Sequence, residues 1–509
     1  MVLKDGEKRK NGLYKKGGAI VLKEAEIKQF IMDDENSERK KLARLGQAYY
    51  EGDHDIKQYR MFYYNTEGEL VEDKARSNIK IPHPFFTELV DQAVQYILSG
   101  TDEYIKSDNP DLQTELDNYF NEDFTAELSE VLTGCFAKGF ENMYAYKNEE
   151  DRIAFQCADS IGVVEVRAKD TDDKCEYVIY HYTDRIDKGH KEIKRIHVVD
   201  KDQTYFYVQV DDGDIKIDDS VEINPKPHAL YKKEGKQATY FKNFGFIPFF
   251  RLDNNKKQIS DLKPIKPLID DYDLMASSLS NNLVDFDTPI HVVKGMEGAT
   301  LEEIQQNVKT KKIIGLPEGD VGLDIKTVDV PYQARVTKLE LDEKNIYRFG
   351  MGLNTSGLKD TNATTNVAIK AAYSLLDLKV SKVTIRLKQF LRKIIKVVLD
   401  EINEKNGTDY QQKDVYFNFE HEIMSNQQEN AQIKLTEAQT RQAEIGTLLN
   451  LAAQFDNETV MKLICEQLDI EWEDVKDKIP DPNEAVNAVM EAQGALNTAP
   501  VVESDVVNE

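Results

Sequence analysis

The chain has 509 residues, 40% of them apolar and 31% charged, with a formal net charge of −26 at pH 7. That length exceeds one ordinary hydrophobic core and predicts roughly two to four folded regions, and the apolar fraction excludes wholesale disorder. The acidic balance excludes a protein that grips nucleic acid by neutralising phosphates; it leaves a soluble protein kept apart from nucleic acid, or a conduit that touches DNA without holding it.

The opening MVLKDGEKRK is charged and lacks the apolar segment of a signal peptide, which predicts synthesis in the cytoplasm. Residues 1–22 form a basic arm with Lys8, Arg9, Lys10, Lys15 and Lys16, expected to be flexible. A charged helix is expected over 23–50. Between Ser77 and Gly100 the chain begins extended, because Pro82 and Pro84 forbid helix. It turns helical near Phe85, with Phe86, Leu89, Val90, Ala93, Val94 and Ile97 on one stripe and Gly100 as the stop. A further helical stretch covers 111–140. From 151 to 250 the period changes to two: CEYVIYHY, RIHVVD and TYFYVQV predict antiparallel strands, and Asp212-Gly213 marks a hairpin.

At Ser260 the helical period returns. Leu262, Ile265, Ile269, Tyr272, Ala276, Leu279, Leu283 and Phe286 predict an amphipathic helix of about 25 residues, close to 40 Å long, with Pro264 and Pro267 in its first turns. Residues 289–330 read as a small α/β unit. It has a strand IHVVKG, a helix TLEEIQQNV capped by Thr300 with Glu303, then KKIIGL and a PEGD turn. A second helix is expected over 333–350, with Val336, Leu339, Ile346 and Phe349. The polar loop GMGLNTSGLKDTNATTN follows. A helix of about 40 residues then runs from near Val367 to Gly407, spanning about 60 Å. The strand VYFNFEHEI (415–423) and a helical, acidic segment from 426 to 509 complete the chain. That last segment carries 17 acidic and 5 basic residues, a net −12, and its final dozen residues have a disordered composition.

Signatures of catalysis are missing from this sequence. It has no GxxxxGK[ST], GxSxG or HExxH motif, so neither enzyme chemistry nor a cofactor is expected. Asp270, Asp271 and Asp273 could suggest a metal-dependent nuclease, but only Asp270 and Asp273 share a helix face, and a solvated acidic face explains them better. Asp211, Asp212 and Asp214 lack the spacing of a calcium loop and suit a hairpin tip. The histidines are scattered, and Cys135, Cys157, Cys175 and Cys465 form no CxxC pair, so no metal site is expected and all four thiols are expected to be reduced. The long helix is locally basic: between 370 and 400 it holds eight cations against Asp377 and Asp400, a net +6. Two readings stand for Lys379, Lys382, Arg386 and Lys393 within it: pairing with acidic neighbours in the same or an adjacent subunit, or weak, non-specific contact with a DNA backbone.

Four blocks in this order resemble the portal family of siphophages that infect Gram-positive bacteria. They are PHPFFTELVDQAVQYILSG (Pro82 to Gly100), RLDNNKKQISDLKPIKPLIDDYDLMASSLSNNLVDF (Arg251 to Phe286), GLNTSGLKDTNATTNVAIKAAYSLLDLKVSK (Gly352 to Lys382) and FNFEHEIMSNQQENAQ (Phe417 to Gln432). The resemblance implies an α+β, mainly helical portal fold assembled as a ring. Its regions would be a wing (23–255), a stem helix (256–286), a clip (287–331), a second stem helix (332–352), a tunnel loop (353–366), a long wing helix with return strand (367–425) and a crown (426–509). It implies a non-enzymatic channel for double-stranded DNA at one capsid vertex, a dodecamer in the virion, formed in the host cytoplasm. The partners implied are the terminase large subunit, head-completion or adaptor proteins, and the major capsid and scaffold proteins; no membrane is involved. The tunnel-loop residues Asn354, Thr355, Ser356, Gly357, Leu358, Lys359, Asp360, Thr361 and Asn362 would face DNA. Asp270, Asp271, Asp273 and Asp285 would keep the channel wall repulsive to phosphate. The competing reading is a structural shell or scaffold protein without a DNA channel, with a metal-dependent nuclease as the enzymatic alternative.

Overall fold

The architecture was analysed in a computed structural model. It describes residues 15–16, 19–20, 22–74, 76–99, 104–148, 152–167, 175–210, 213–228, 231–234, 237–240, 244–286, 290–294, 322–326, 332–354, 366–419, 427–451 and 457–467. The chain divides into two compact units. One comprises residues 1–361 and 370–423, the other residues 362–369 and 424–509.

The first unit opens with two short strands, β1 (Lys15–Lys16) and β2 (Ala19–Ile20), paired antiparallel within the arm expected to be flexible. The single charged helix expected over 23–50 is two helices, α1 (Glu24–Glu35) and α2 (Glu38–Tyr50). Local side-chain chemistry breaks it. The Asn36 amide donates to the Met32 carbonyl at 2.9 Å and ends α1, while Ser37 Oγ accepts from the Lys40 N–H at 3.3 Å and starts α2. A hairpin of β3 (Phe62–Tyr64) and β4 (Leu70–Glu72) follows, then α3 (Phe85–Leu98), close to its expected bounds. The stretch expected to be helical from 111 to 140 is also split. After β5 (Ile105–Lys106), α4 (Pro110–Tyr119) is capped by Asn109 with proline in its first turn. Asn121 then caps α5 (Glu122–Lys138), which Gly139 closes at φ 93°.

The expected antiparallel region contains two sheets. Strands β6 (Phe140–Lys147) and β7 (Ile153–Ala158) join β16 (Phe249–Asp253) in the order β16-β6-β7. Strands β8 (Val163–Val166), β9 (Tyr177–Ile186), β10 (Lys191–Val199), β11 (Gln203–Val210) and β12 (Lys216–Ile217) run β12-β11-β10-β9-β8, with β13 (Lys226–Pro227) also on β11. A separate hairpin pairs β14 (Tyr231–Glu234) with β15 (Gln237–Tyr240).

Helix α6 spans Lys266–Phe286, later than the start expected at Ser260. Pro264 disfavours helix in the residue before it, and 260–265 form tight turns that still bury Leu262 and Ile265. Strands β17 (Ile290–Lys294) and β18 (Gly322–Lys326) pair antiparallel, while the expected helix at 300–308, KKIIGL and the PEGD turn lie outside the described residues. Helices α7 (Tyr332–Gly350) and α8 (Asn366–Asn406) match the two expected helices closely. The strand expected over 415–423 is reduced, among described residues, to β19 (Tyr416–Phe417), paired with β5. The second unit contains α9 (Gln427–Leu451) and α10 (Asn457–Gln467).

One large core joins α3, α4, α5, α8 and the three-stranded sheet through buried residues such as Phe86, Leu116, Leu128, Phe136, Phe155 and Phe390. A smaller core lies where Ile27 and Ile31 of α1 meet Val164, Ile179, Ile196 and Val198 of the larger sheet. A lysine ties the helices to this region. Lys40 has no exposed side chain, and its Nζ donates to the carbonyls of Ser160, Ile161 (3.1 Å) and Val163 (2.8 Å) and pairs with Asp34 at 3.0 Å. Burial pushes its pKa down, against the pull of Asp34. Helices α2 and α5 cross tightly at Gly46, where a Cβ would fall 1.9 Å from the Ala137 carbonyl oxygen.

Candidate functional site

Helix α6 carries a hydrogen-bonding side chain on one stripe at every fourth residue: Asp273, Ser277, Asn281 and Asp285. Residues 77–83 run extended along that stripe in the opposite direction. Alternate backbone N–H groups donate to it: Ser77 to Asp285 Oδ1 (3.2 Å), Ile79 to Asn281 Oδ1 (2.6 Å), Ile81 to Ser277 Oγ (3.0 Å) and His83 to Asp273 Oδ1 (2.9 Å). Four helical residues rise about 6 Å and two extended residues about 6.6 Å, so the two periods stay in step over these rungs. Pro82 falls on the alternate set and costs no rung.

The stripe ends in a buried cluster. Asp273 Oδ2 lies 2.6 Å from His54 Nδ1, and Oδ1 lies 2.9 Å from His83 Nδ1. The His54 ring stacks on Tyr49 at 4.5 Å. Burial alone would raise the Asp273 pKa, but the hydrogen bonds from both histidines outweigh it and hold the carboxyl below the usual range.

Each of the four aspartates expected to keep a channel wall repulsive to phosphate has a partner within the chain. Asp273 is fully buried, and Asp285 accepts the backbone N–H of Ser77 in the extended strap formed by residues 77–83. Asp270 accepts from the Tyr49 hydroxyl and from Lys266 Nζ at 2.7 Å. Asp271 is bound by Lys338 Nζ of α7 at 2.5 Å, and Lys338 also holds Asp342. Each carboxylate is thus engaged inside the subunit, and the three-residue cluster at 270–273 serves three separate contacts.

Helix α7 packs on α6 through this Lys338 bridge. Phe85 stands edge-on to Tyr272 of α6 and Tyr347 of α7, with ring centroids 4.8 and 6.0 Å away. The Tyr347 hydroxyl donates to Glu88 at 2.6 Å, anchoring α7 to α3. Both helices nevertheless leave large apolar side chains in water: Leu283 and Val284 on α6, and Tyr332, Leu341 and Phe349 on α7, each more than half exposed.

The basic helix α8 separates its candidate cations. Lys379 is buried, pairs with Asp261 at 2.9 Å and sits over the Phe136 ring, an ion pair within the chain as the first of its two readings has it. Arg386 is half-buried, whereas Lys382 and Lys393 are exposed. In the expected tunnel loop, Asn354 is described and adjoins Leu353, whose N–H donates to Gln92 at 2.9 Å. Thr355, Ser356, Gly357, Leu358, Lys359, Asp360, Thr361 and Asn362 lie outside the described residues.

The four cysteines carry free thiols. Among the described residues no helix is long and apolar enough to cross a membrane, and no group of three or more His, Cys, Asp or Glu is placed to hold a metal ion. The strap was missed from sequence, although acceptors spaced by four on an amphipathic helix, together with a Pro-rich extended stretch, were a usable signal.

The polar stripe of α6 is thus spent on residues 77–83 of the same chain, while aliphatic side chains stay in water along the paired helices. The family described as phage portal protein, SPP1 Gp6-like, matches residues 29–473, and the chain belongs to that family. It is 27% identical over 365 residues to the portal protein of Bacillus phage SPP1, covering 72% of this chain and 70% of that protein. It is 25% identical over 401 residues to the portal protein of Clostridium phage phiCD119, covering 74% and 85%. Its function is accordingly that of a phage portal protein.

Proposed function

We propose that the chain closes head to tail into a ring, a dodecamer in the virion, whose central channel passes double-stranded DNA during packaging and ejection. The exposed apolar residues of α6 and α7 carry this reading, since a paired-helix surface with Leu283, Val284, Leu341 and Phe349 in water gains by burial against an identical neighbour. In this ring, 256–286 and 332–352 form the stem and 287–331 the clip, which docks the terminase large subunit and later the head-completion or adaptor proteins. Residues 353–366 form the tunnel loop, with Asn354 through Asn362 brushing the duplex. Residues 23–255 and 367–425 form the wing, in reach of the major capsid and scaffold proteins, and 426–509 form an acidic crown that repels packaged DNA. Assembly takes place in the host cytoplasm, on the same family analogy. With Asp273 internal and Asp270 and Asp271 each paired with a lysine, repulsion of phosphate at the channel wall rests on the partly exposed Asp285 together with the net acidity of the chain.

Negative-stain electron microscopy of the purified full-length protein tests the proposal. Cyclic rings with a hole wide enough for a duplex are expected. Sheets or closed shells would overturn it in favour of a shell protein without a channel.

A further inference from the structure

The surface of α8 is divided lengthwise. One stripe, including Leu376, Val383, Leu387 and Phe390, is buried in the core shared with α3, α4 and α5. Side-chain bonds fix that orientation: the Tyr96 hydroxyl of α3 donates to Asp377 at 2.9 Å, and the Tyr119 hydroxyl of α4 to Glu401 at 3.0 Å. The opposite stripe is exposed and mixes two chemistries. Leu375, Leu378 and Ile385 lie in water, the last two 63% exposed, and Lys382, Arg392, Lys393 and Lys396 follow on the same face.

Complementary charge is present elsewhere on the same chain. Residues 107–137 hold eight acidic side chains and no lysine or arginine. Asp111 and Asp117 of α4 and Glu122, Asp123 and Glu130 of α5 are exposed. The five carboxylates and the four α8 cations are all exposed. Among the described residues, none of those four cations pairs with any of those five acids.

We infer that the Leu378–Lys396 stripe of α8 on one subunit docks on the acidic α4–α5 face of the neighbouring copy. The inference rests on the ring reading above and assigns it one contact. Two different, complementary patches on one chain make the heterologous contact from which rings close. The aliphatic side chains decide against DNA as the occupant. A phosphate backbone offers cations their partners but offers Leu375, Leu378 and Ile385 nothing apolar, whereas a protein face accepts both.

The test uses full-length protein in three charge-reversed forms: R392E/K393E/K396E, E122K/D123K/E130K, and the two sets combined. Sedimentation velocity and ring counts by electron microscopy report assembly, and thermal melting checks that each subunit is folded. Each single set should weaken assembly by about tenfold or more, and the combined set should restore rings, because reversing both faces keeps the complementarity. As an independent arm, rings of the unmodified protein should loosen as salt is raised. Rings that survive R392E/K393E/K396E and are insensitive to salt would overturn the inference while leaving the portal reading intact. So would folded single sets that the combination fails to rescue. Intact rings that have lost only weak duplex retention would reassign the stripe to DNA. An unmodified protein that forms no ring would take both readings down together.

Discussion

His54 and Asp273 are joined inside the subunit, Nδ1 to Oδ2 at 2.6 Å, with neither side chain exposed. The carboxyl is held below its ordinary value, so its contribution is complete above the free value of about 4 and is lost as pH falls through the lower, folded value. Asp273→Asn keeps the shape and removes the charge. It should cost about 1–3 kcal/mol at pH 7 and flatten the loss of stability in acid. Thermal melts from pH 7 to pH 2 check this, and acid limbs identical to those of the parent would refute it.

Two histidines of the larger sheet act in a higher pH window. Burial, reinforced by nearby Lys194 and Lys40, pushes His181 down to about 3; burial, with Arg195 close by, pushes His197 down to about 4. The unfolded chain takes up these protons near pH 6.5, so both sites weaken the fold progressively as pH drops below about 6.5. His197 stands edge-on to Phe206 at 4.8 Å and to Tyr182 at 5.4 Å, surroundings that accept an apolar ring. His197→Phe should therefore melt higher than the parent at pH 5 by more than any difference at pH 7.

Lys40→Met should destabilise the first unit by about 3–5 kcal/mol, because it strips a buried charge from Asp34 and leaves the carbonyls of Ser160, Ile161 and Val163 without their donor. Chemical denaturation measures the loss. A change under about 1 kcal/mol would mean that water replaces the ammonium at no cost.

The strap gives a residue-level readout. In Ser277→Ala and Asn281→Ala, the amides of Ile81 and Ile79 lose their acceptors and should exchange with solvent faster than in the parent. Exchange at the neighbouring rung should change less. Equal rates at both amides in parent and variants would show that the strap is held by packing alone.

Much of this architecture was legible because its signals are periodic. The stripe from Leu376 to Val398 gave α8 nearly to the residue, since buried apolar positions on a long helix repeat without interruption. The break at Asn121 was not legible from periodicity, because the apolar pattern continues across it, and around Ser37 residues 33–41 carry no apolar side chain from which to read a period; at both, single caps decide the geometry. The partners of the α6 aspartates were not legible for a related reason. Sequence marks a carboxylate as charged, but only its neighbours determine whether it meets solvent. Asp273 draws its histidines from 219 and 190 residues away. Lys379 likewise finds Asp261 only through the fold.

The rungs between 77–83 and α6 also have a mechanical meaning. The strand lies parallel to the helix axis with its bonds crossing between them, so a force drawing one lengthwise past the other loads all the rungs at once. The same bonds pulled sideways would open one after another, from either end. The helix is splinted against axial slip while the strand can still be peeled away.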